Sequence, residues 1–307
     1  MNNINLKFYE VDEDWLPFVE IRFKGMDSKI YSALMLMDSG SNINSLAEEM
    51  RILIGKSDWV ADLSEVVNVA NETKGVPCAK FGFEMDGQPF QEEFAFQGQH
   101  LMQIDDMMFV GVLGNSFMQK YHLAIDYSNL TVHTSNMTLD NLKNKNCSFI
   151  IPMDYGLKFY NVPILKIRGK VRDAVILVDT GYDNFFSLSQ KALDECGHSY
   201  KLTGNIHPVE GPNGSVEANE CVLDFMLIDN RGNEVDKHAH QAKIDVLPNS
   251  ITITEEGECD DEGTPLSPID GMIGSTFMAR QKWIIDFGVK ALYKYESQEA
   301  VVSDVVE

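Results

Sequence analysis

Hydrophobic residues in this chain come in short runs that mostly alternate with polar residues. Near its start the chain reads LPFVEIRFKG, and near its midpoint it reads NVPILKIRGK, so that Pro17 and Pro163 each open an alternating segment. A period of two is the pattern of a β-strand with one buried face. Continuous apolar runs at residues 34–37 and 175–178 are typical of more deeply buried strands. The pattern predicts a mainly β protein.

Helix signals follow each of these buried runs. Ser45 precedes Glu48 by the Ser-x-x-Glu/Gln spacing of a helix capping box. The segment SLSQKALDECG, which begins at Ser187, has the same spacing. Two glycines would then end the helices, Gly55 and Gly197. We therefore expect a short helix or two in each half of the chain.

Between the helices and the end of each half, the chain reads as strands and hairpins. Turn-forming residues interrupt the alternating runs around Asn71 and Gly75 in the first half, and around Gly211 and Gly214 in the second. These positions mark candidate hairpins, one in each half.

An internal repeat organises the whole chain. GVLGNSFMQKYHLAIDY begins at Gly111 and GMIGSTFMARQKWIIDF begins at Gly271, and the two segments are identical at six aligned positions. The polar run at residues 135–146 is the natural join between the two copies. The repeat predicts an N-terminal lobe at residues 1–143 and a C-terminal lobe at residues 144–307.

Charge and cysteine content narrow the classes of partner. The formal net charge of -22 over 307 residues argues against nucleic acid or an anionic membrane surface as a partner. No segment approaches the roughly eighteen apolar residues that cross a bilayer, and the N-terminus lacks the layout of a secretion signal. Five scattered cysteines, with no CxxC pair, suit a reducing compartment. We expect a cytoplasmic protein.

The candidate chemistry lies where the two buried runs end. The first run ends in Asp38-Ser39-Gly40 and the second in Asp179-Thr180-Gly181. Glycine lets the backbone turn, the hydroxyl can brace the loop, and the aspartate is held at the floor of a cleft. If the halves pack about a pseudo-twofold axis, the carboxylates meet and share one proton. Such a pair can activate water for peptide hydrolysis without a metal.

The order of these features resembles the retropepsin-like and pepsin-like aspartic proteases. A hydrophobic strand leads to a D-[ST]-G loop, a hairpin, a strand ending in glycine and a short helix, and both halves show this order from about Pro17 to about Tyr295. The resemblance implies an all-β, two-lobed fold with short helices, an internal pseudo-twofold repeat and the cleft between the lobes.

The resemblance also implies roles for particular residues. Asp38 and Asp179 would be the catalytic pair, with Ser39 and Thr180 bracing the loops that Gly40 and Gly181 turn. Gly114 and Gly274 match the glycines that end the supporting strands. The remaining matches are to substrate-covering flaps, at Asn71, Gly75, Gly211 and Gly214. One chain supplies both aspartates, so a monomer would suffice for activity, and the resemblance implies no cofactor and no metal.

Two features depart from the family pattern. Tyr182 follows the second loop glycine, where the family usually has a small residue such as Ser41. The first candidate flap reads NVANETKG and lacks a pepsin-like flap tyrosine, which favours two short flaps. The halves also differ in length, so the subsites on the two sides of the cleft should differ.

The sequence therefore predicts an aspartic endopeptidase that takes an extended polypeptide as substrate. The alternative is a catalytically inactive module of the same fold that binds peptides or proteins. A third hypothesis, a metallohydrolase that uses His238, His240 and the acidic segment 255–263, has no recognisable ligand motif. A second repeated pair, Asp126 and Asp286, follows apolar strands and precedes turns, so we expect it to cap those turns.

Overall fold

The computed structural model describes residues 6–7, 9, 15–54, 64–67, 73–96, 100–153, 162–211, 214–228, 232, 234, 240–248 and 269–296. These residues form β-strands and five short helices arranged in two β-rich lobes. Among the described residues, no helix is long and apolar enough to span a membrane.

The first half of the chain holds twelve of the described strands and three of the described helices. In chain order they are β1 (Leu6–Lys7), β2 (Phe18–Lys24), β3 (Ile30–Asp38), β4 (Ser45–Leu46), α1 (Met50–Leu53), β5 (Ser64–Val67), β6 (Thr73–Val76), β7 (Cys78–Met85), β8 (Gln88–Phe96), β9 (Met102–Ile104), β10 (Met107–Gly114), α2 (Asn115–Lys120), β11 (Leu123–Asp126), β12 (Thr131–Thr134) and α3 (Leu139–Lys143).

The second half repeats much of this order. Its described elements are β13 (Cys147–Pro152), β14 (Ile164–Ile167), β15 (Ala174–Asp179), β16 (Phe186–Ser189), α4 (Gln190–Cys196), β17 (Tyr200–Gly211), β18 (Gly214–Phe225), β19 (Leu227–Ile228), β20 (His240–Leu247), β21 (Gly271–Gly274), α5 (Ser275–Gln281), β22 (Ile284–Asp286) and β23 (Ala291–Tyr295).

Each lobe is built on its own sheet, and a third sheet joins the two halves. The first lobe has the strand order β3-β2-β7-β8-β4-β10-β9, with β10 also paired to β3, and the second has β17-β18-β20-β16-β21-β15-β14-β19. The third sheet runs β1-β12-β11-β22-β23-β13, so that strands of the two halves meet at the β11–β22 pair. A small β5–β6 hairpin lies apart.

The alternating segments form strands with one buried face, as their pattern predicts. In β2 the side chains of Val19, Ile21 and Phe23 are buried, whereas Glu20 and Arg22 between them are exposed. Strand β7 repeats the pattern, and its phenylalanines stack within the same core. Burial of these large apolar side chains is the main force that holds each sheet to its lobe.

The helix starts differ from the sequence prediction at two serines. Ser45 lies in β4 and Ser187 in β16, and both are fully buried in strand pairing, so neither caps a helix. In the second half the cap is Ser189, whose hydroxyl accepts a hydrogen bond from the Ala192 N–H at 3.0 Å. A residue whose backbone is paired in a buried strand cannot also begin a helix. At Ser45 and Ser187 the strand pairing replaces the predicted helix cap.

The helix ends are partly as predicted. Gly197 ends α4 in the left-handed conformation, with φ of 70°, which a glycine adopts without strain. Gly55 lies outside the described residues.

The late repeated segments place their helices as predicted. Strands β10 and β21 end in glycine and lead directly into α2 and α5. Phe117 and Met118 on α2, like Phe277 and Met278 on α5, are buried in the main core. This core runs through both halves and anchors the strands that carry the two aspartates.

Candidate active site

Each candidate aspartate ends a strand that a second strand holds from the side. Strand β10 pairs in parallel with β3, with Gly114 opposite Asp38, and β21 pairs in parallel with β15, with Gly274 opposite Asp179. A side chain on either glycine would overlap backbone oxygen atoms of the adjoining loop, at Ile43 or at Asn184. The two glycines therefore allow the supporting strands to approach the loops closely.

Reciprocal hydrogen bonds join the two aspartate loops. The Ser39 N–H donates to Thr180 Oγ1 and the Thr180 N–H donates to Ser39 Oγ, both at 2.9 Å. Each hydroxyl then donates at 2.6 Å to a strand carbonyl of the other half, Ser39 to Val178 and Thr180 to Met37. Because both hydroxyls are fully buried, these bonds fix the position of each loop relative to the other.

The hydrogen bonds between the two loops bring the two carboxyl groups together. The Asp179 carboxyl lies against Gly40 and the Asp38 carboxyl against Gly181, so each acid sits on the loop of the other half. Two carboxylates placed this closely repel each other when both are ionised. The arrangement therefore favours one proton shared by the pair.

Each loop glycine lies against the carboxyl of the other half. A methyl group on Gly40 would overlap the Asp179 carboxyl, and a methyl group on Gly181 would lie 2.5 Å from Asp38 Cγ. Only a residue without Cβ leaves room for the opposite side chain in its present place. The two loops are therefore fitted to each other as well as turned sharply.

Backbone N–H groups of the two loops hold one oxygen of each carboxyl. Asp38 Oδ1 accepts the N–H groups of Gly40 at 2.8 Å and Ser41 at 3.0 Å, and Asp179 Oδ1 accepts that of Gly181 at 2.8 Å. Both side chains remain partly exposed. One face of each carboxyl is thus fixed, and the other is open to a reactant.

Burial raises the pKa of both carboxyls. For Asp179 the charge of Asp38 and the bond between the two side chains add to the effect of burial, and its pKa lies well above the usual 3.8. For Asp38 burial also dominates, whereas the bonds from Asp179 and from two backbone N–H groups act in the opposite direction. The pair consequently retains one proton above the range in which an ordinary aspartate is ionised.

Tyr182 fills a small apolar cluster beside the second loop. Its ring is buried against Val209, Ala218 and Leu247, with Val216 and Met272 at the edge. The ring therefore packs on the face of the second-lobe sheet that lies next to Asp179. Its hydroxyl is buried and has no hydrogen-bonding partner among the described residues.

The candidate flap residues are placed only in part. Gly75 lies in β6 and pairs with Glu65 of β5, and Gly211 pairs with Gly214 at the end of the long β17–β18 hairpin. Asn71 lies outside the described residues. The hairpins occupy equivalent places in the order of strands. In the first half β6 is followed by β7, which pairs with β8, and in the second half β18 itself goes on to pair with β20.

Two supporting contacts have no signal in the sequence. The Tyr127 hydroxyl and Ser275 Oγ form a short buried hydrogen bond at the start of α5. Asn44 Oδ1 accepts the Gly114 N–H at 3.0 Å and so ties the first loop to its supporting strand. These partners are 148 and 70 residues apart, so no local pattern in the sequence could have pointed to them.

The second repeated aspartate pair caps turns, as predicted. Asp126 Oδ1 accepts the N–H groups of Ser128 and Asn129, and Asp286 Oδ1 accepts those of Gly288 and Val289. Both aspartates lie in the shared sheet, away from the paired carboxyls.

The groups of the metallohydrolase hypothesis are mostly beyond the described ranges. His238 and segment 255–263 lie outside the described residues, and His240 begins β20. Within the ranges that the structure covers, no group of three or more His, Cys, Asp and Glu side chains is arranged to hold a metal ion.

The arrangement of sheets and loops is the two-lobed, β-rich fold of pepsin-like proteins, and the predicted fold class is confirmed. No protein-family model matches the chain, and no curated protein matches it. Among solved structures, the chain is similar to soybean basic 7S globulin. The match covers 97% of this chain and 98% of the globulin chain, with a TM-score of 0.51 at 8% sequence identity. The aspartic proteinase of Irpex lacteus covers 98% of this chain and 100% of its own, with a TM-score of 0.49 at 11% identity.

Proposed function

We propose that the protein is an aspartic endopeptidase whose reacting groups are Asp38 and Asp179. A water held between the two carboxyls loses a proton to the ionised member and attacks the scissile carbonyl carbon. The protonated member donates a hydrogen bond to the carbonyl oxygen as negative charge develops there. The C–N bond of the tetrahedral intermediate then breaks as the proton taken from water passes to the leaving amine. Because water is the nucleophile, no covalent bond forms between protein and substrate.

One observation carries this proposal. Each carboxyl lies against the loop glycine of the other half, and the two loops brace each other through Ser39 and Thr180. A turn that merely ended a strand would need neither the partner carboxyl nor the crossed hydroxyl bonds. Raised pKa values follow from this placement and suit a group that must both accept and donate protons.

The proposed substrate is an extended polypeptide. Hairpins β5–β6 and β17–β18 are the candidate flaps, and strand edges can bind a peptide through main-chain hydrogen bonds. Side chains that alternate along the bound peptide would then meet the two lobes in turn. The site needs no second copy of the chain, because one chain supplies both carboxyls.

The test compares Asp38→Asn and Asp179→Asn with the unaltered protein on a diverse peptide library at several pH values. Either substitution removes the shared proton equilibrium, so we expect cleavage to fall by at least about a thousandfold. Asp140→Asn is the matched control, because the Asp140 side chain is 90% exposed and far along the chain from both loops. Pepstatin is expected to inhibit the unaltered protein.

Two results would contradict the proposal. Cleavage that survives both substitutions and pepstatin would require different reacting groups. Peptide binding without any cleavage, across the pH range, would favour the non-catalytic module of the same fold. Melting temperatures near that of the unaltered protein are required for the variants, so that loss of activity is not loss of folding.

A further inference from the structure

A polar group in the second lobe lies on the face of its sheet that is turned away from the main core. In β20 the side chains of Ile244 and Val246 enter the main core, so Asp245 between them leaves the sheet on the opposite face. This is the face on which Tyr182 packs, three residues beyond Asp179. Asp245 is only 8% exposed. A buried acid therefore shares this face with the ring of Tyr182, which belongs to the loop that carries Asp179.

The Asp245 carboxyl is only half satisfied. Its Oδ1 lies 2.8 Å from His207 Nε2, on β17 of the long hairpin. No hydrogen bond to Oδ2 is formed by the described residues. Lys243, on the same strand, pairs with Glu220 at 3.3 Å and is therefore engaged elsewhere. The Asp245 side chain is 12% exposed, so a cation can reach the carboxyl from outside.

Two buried hydroxyls beside Asp245 also have unused hydrogen-bonding capacity. Ser187 is its neighbour across the parallel β16–β20 ladder and is fully buried, and the Tyr182 hydroxyl is close enough for the charge of Asp245 to raise its pKa. Ser187 and Asn184 lie near the Tyr182 hydroxyl, yet neither meets it with hydrogen-bonding geometry. The Ser187 hydroxyl is likewise without a partner in the described chain.

The equivalent place in the first lobe is apolar. Ser45 pairs with Ala95 as Ser187 pairs with Asp245, and Ala95 packs with Val76 and Cys78 in a small hydrophobic cluster. An apolar residue is therefore compatible with the fold at this position. The second lobe instead places an acid there, which a purely structural role does not require.

We infer that Asp245, with the Tyr182 and Ser187 hydroxyls, forms the floor of a subsite that receives a lysine or arginine side chain of the substrate. This inference rests on the proposed function and names its substrate class. The incoming cation would face Asp245 Oδ2, and its remaining N–H groups would be met by the two hydroxyls. The first-lobe side, lined by Ala95 and its neighbours, would take an apolar side chain.

The test uses matched peptides that carry lysine, arginine or norleucine at each position around the cleaved bond. The unaltered protein is expected to prefer the basic residue at one position. In Asp245→Asn the ratio of kcat/KM for the lysine peptide to that for the norleucine peptide should fall about tenfold or more. Asp245→Ala, which reproduces the first-lobe residue, serves as a second variant. Asp224→Asn, an exposed acid on the neighbouring strand β18, should leave the ratio unchanged.

A binding measurement keeps this inference separate from catalysis. Equilibrium affinities for the same peptides are measured in Asp38→Asn, with and without Asp245→Asn. A basic preference that Asp245→Asn abolishes supports the subsite even if the unaltered protein cuts nothing, in which case only the proposed function fails. Absence of a basic preference, or a preference that persists in both Asp245 variants, overturns the subsite.

Discussion

At the scale of single residues, the loop glycines leave no room for a side chain. Gly40 and Gly181 each lie where a Cβ would collide with the carboxyl of the other half. That carboxyl is held by backbone N–H groups and cannot rotate away without losing them. The collision therefore displaces a reacting group and not merely a flexible side chain.

Alanine at either glycine is expected to impair chemistry more than folding. For Gly40→Ala or Gly181→Ala we predict a fall in kcat of about a hundredfold, because a displacement near 1 Å in a reacting group has that effect. Gly82→Ala is the control, since its Cβ would find its nearest neighbour at 3.9 Å. Steady-state kinetics on one peptide distinguish the three variants. Full activity in Gly40→Ala would mean that the carboxyls are not held as tightly as the contacts indicate.

The shared proton also has a consequence for stability. Asp179 has a pKa above 3.8 in the folded protein, so between these two pKa values the folded state binds more protons than the unfolded state. The free energy of unfolding therefore falls as pH rises through this window. Asp179→Asn removes the titrating group, so the variant should gain stability relative to the unaltered protein as pH rises, and the gain should vanish near pH 3.8 and below.

Urea denaturation from pH 4 to pH 8 at constant ionic strength measures this difference. The prediction fails if the two stability curves stay parallel across the range. Asp140→Asn again provides a control. Because the Asp140 side chain is exposed, the stability of this variant should follow the unaltered protein across the pH range.

At the scale of elements, the brace between the loops joins strands β3 and β15 of different halves. Ser39→Ala removes a hydroxyl that donates to the Val178 carbonyl and leaves the Thr180 N–H without its acceptor. We expect a loss of about 1–3 kcal/mol in the free energy of unfolding, the range for stranding a buried polar group. Activity should fall as well, because the loops carry the carboxyls.

Ser39→Thr keeps the hydroxyl and copies the residue that the other loop already has. It should retain most of the stability and activity that Ser39→Ala loses. Equal losses in the two variants would show that packing at this position, and not the hydrogen bonds, sets the loop geometry. Chemical denaturation and kcat on one peptide measure both quantities.

Elements also show what the sequence could and could not reveal. The repeat and the alternating pattern predicted the strands, and the D-[ST]-G triplets marked the loops that meet. The capping boxes at Ser45 and Ser187 were wrong, because each serine is paired to strands far along the chain. The Asp245–His207 contact spans 38 residues and depends on the order β17-β18-β20, which no local pattern records.

At the scale of the molecule, the two halves meet through the shared sheet and the crossed loops. Residues 124–126 of β11 pair with residues 284–286 of β22, and the main core includes side chains from both halves. Each half supplies only one carboxyl of the Asp38–Asp179 pair. Neither half can therefore form the carboxyl pair by itself.

Separate expression of residues 1–143 and 144–307 tests this dependence. Each fragment alone should show no cleavage, and co-expressed or co-refolded fragments should regain activity if they restore the β11–β22 pairing. Trp283, which is 1% exposed at the edge of β22, provides a fluorescence signal for assembly. Cleavage by one fragment alone would contradict the shared site, unless that fragment forms a dimer, which sedimentation would detect.

The crossed contacts between loops have a consequence for how such a chain is made. Asp38 emerges early in synthesis, but the strand that supports Asp179, β21, begins only at Gly271. Until that strand has left the ribosome, the second loop lacks its support and the first lacks its partner. The proposed peptidase would therefore stay inert throughout most of its own translation, and its nascent chains would be protected from one another without an inhibitor.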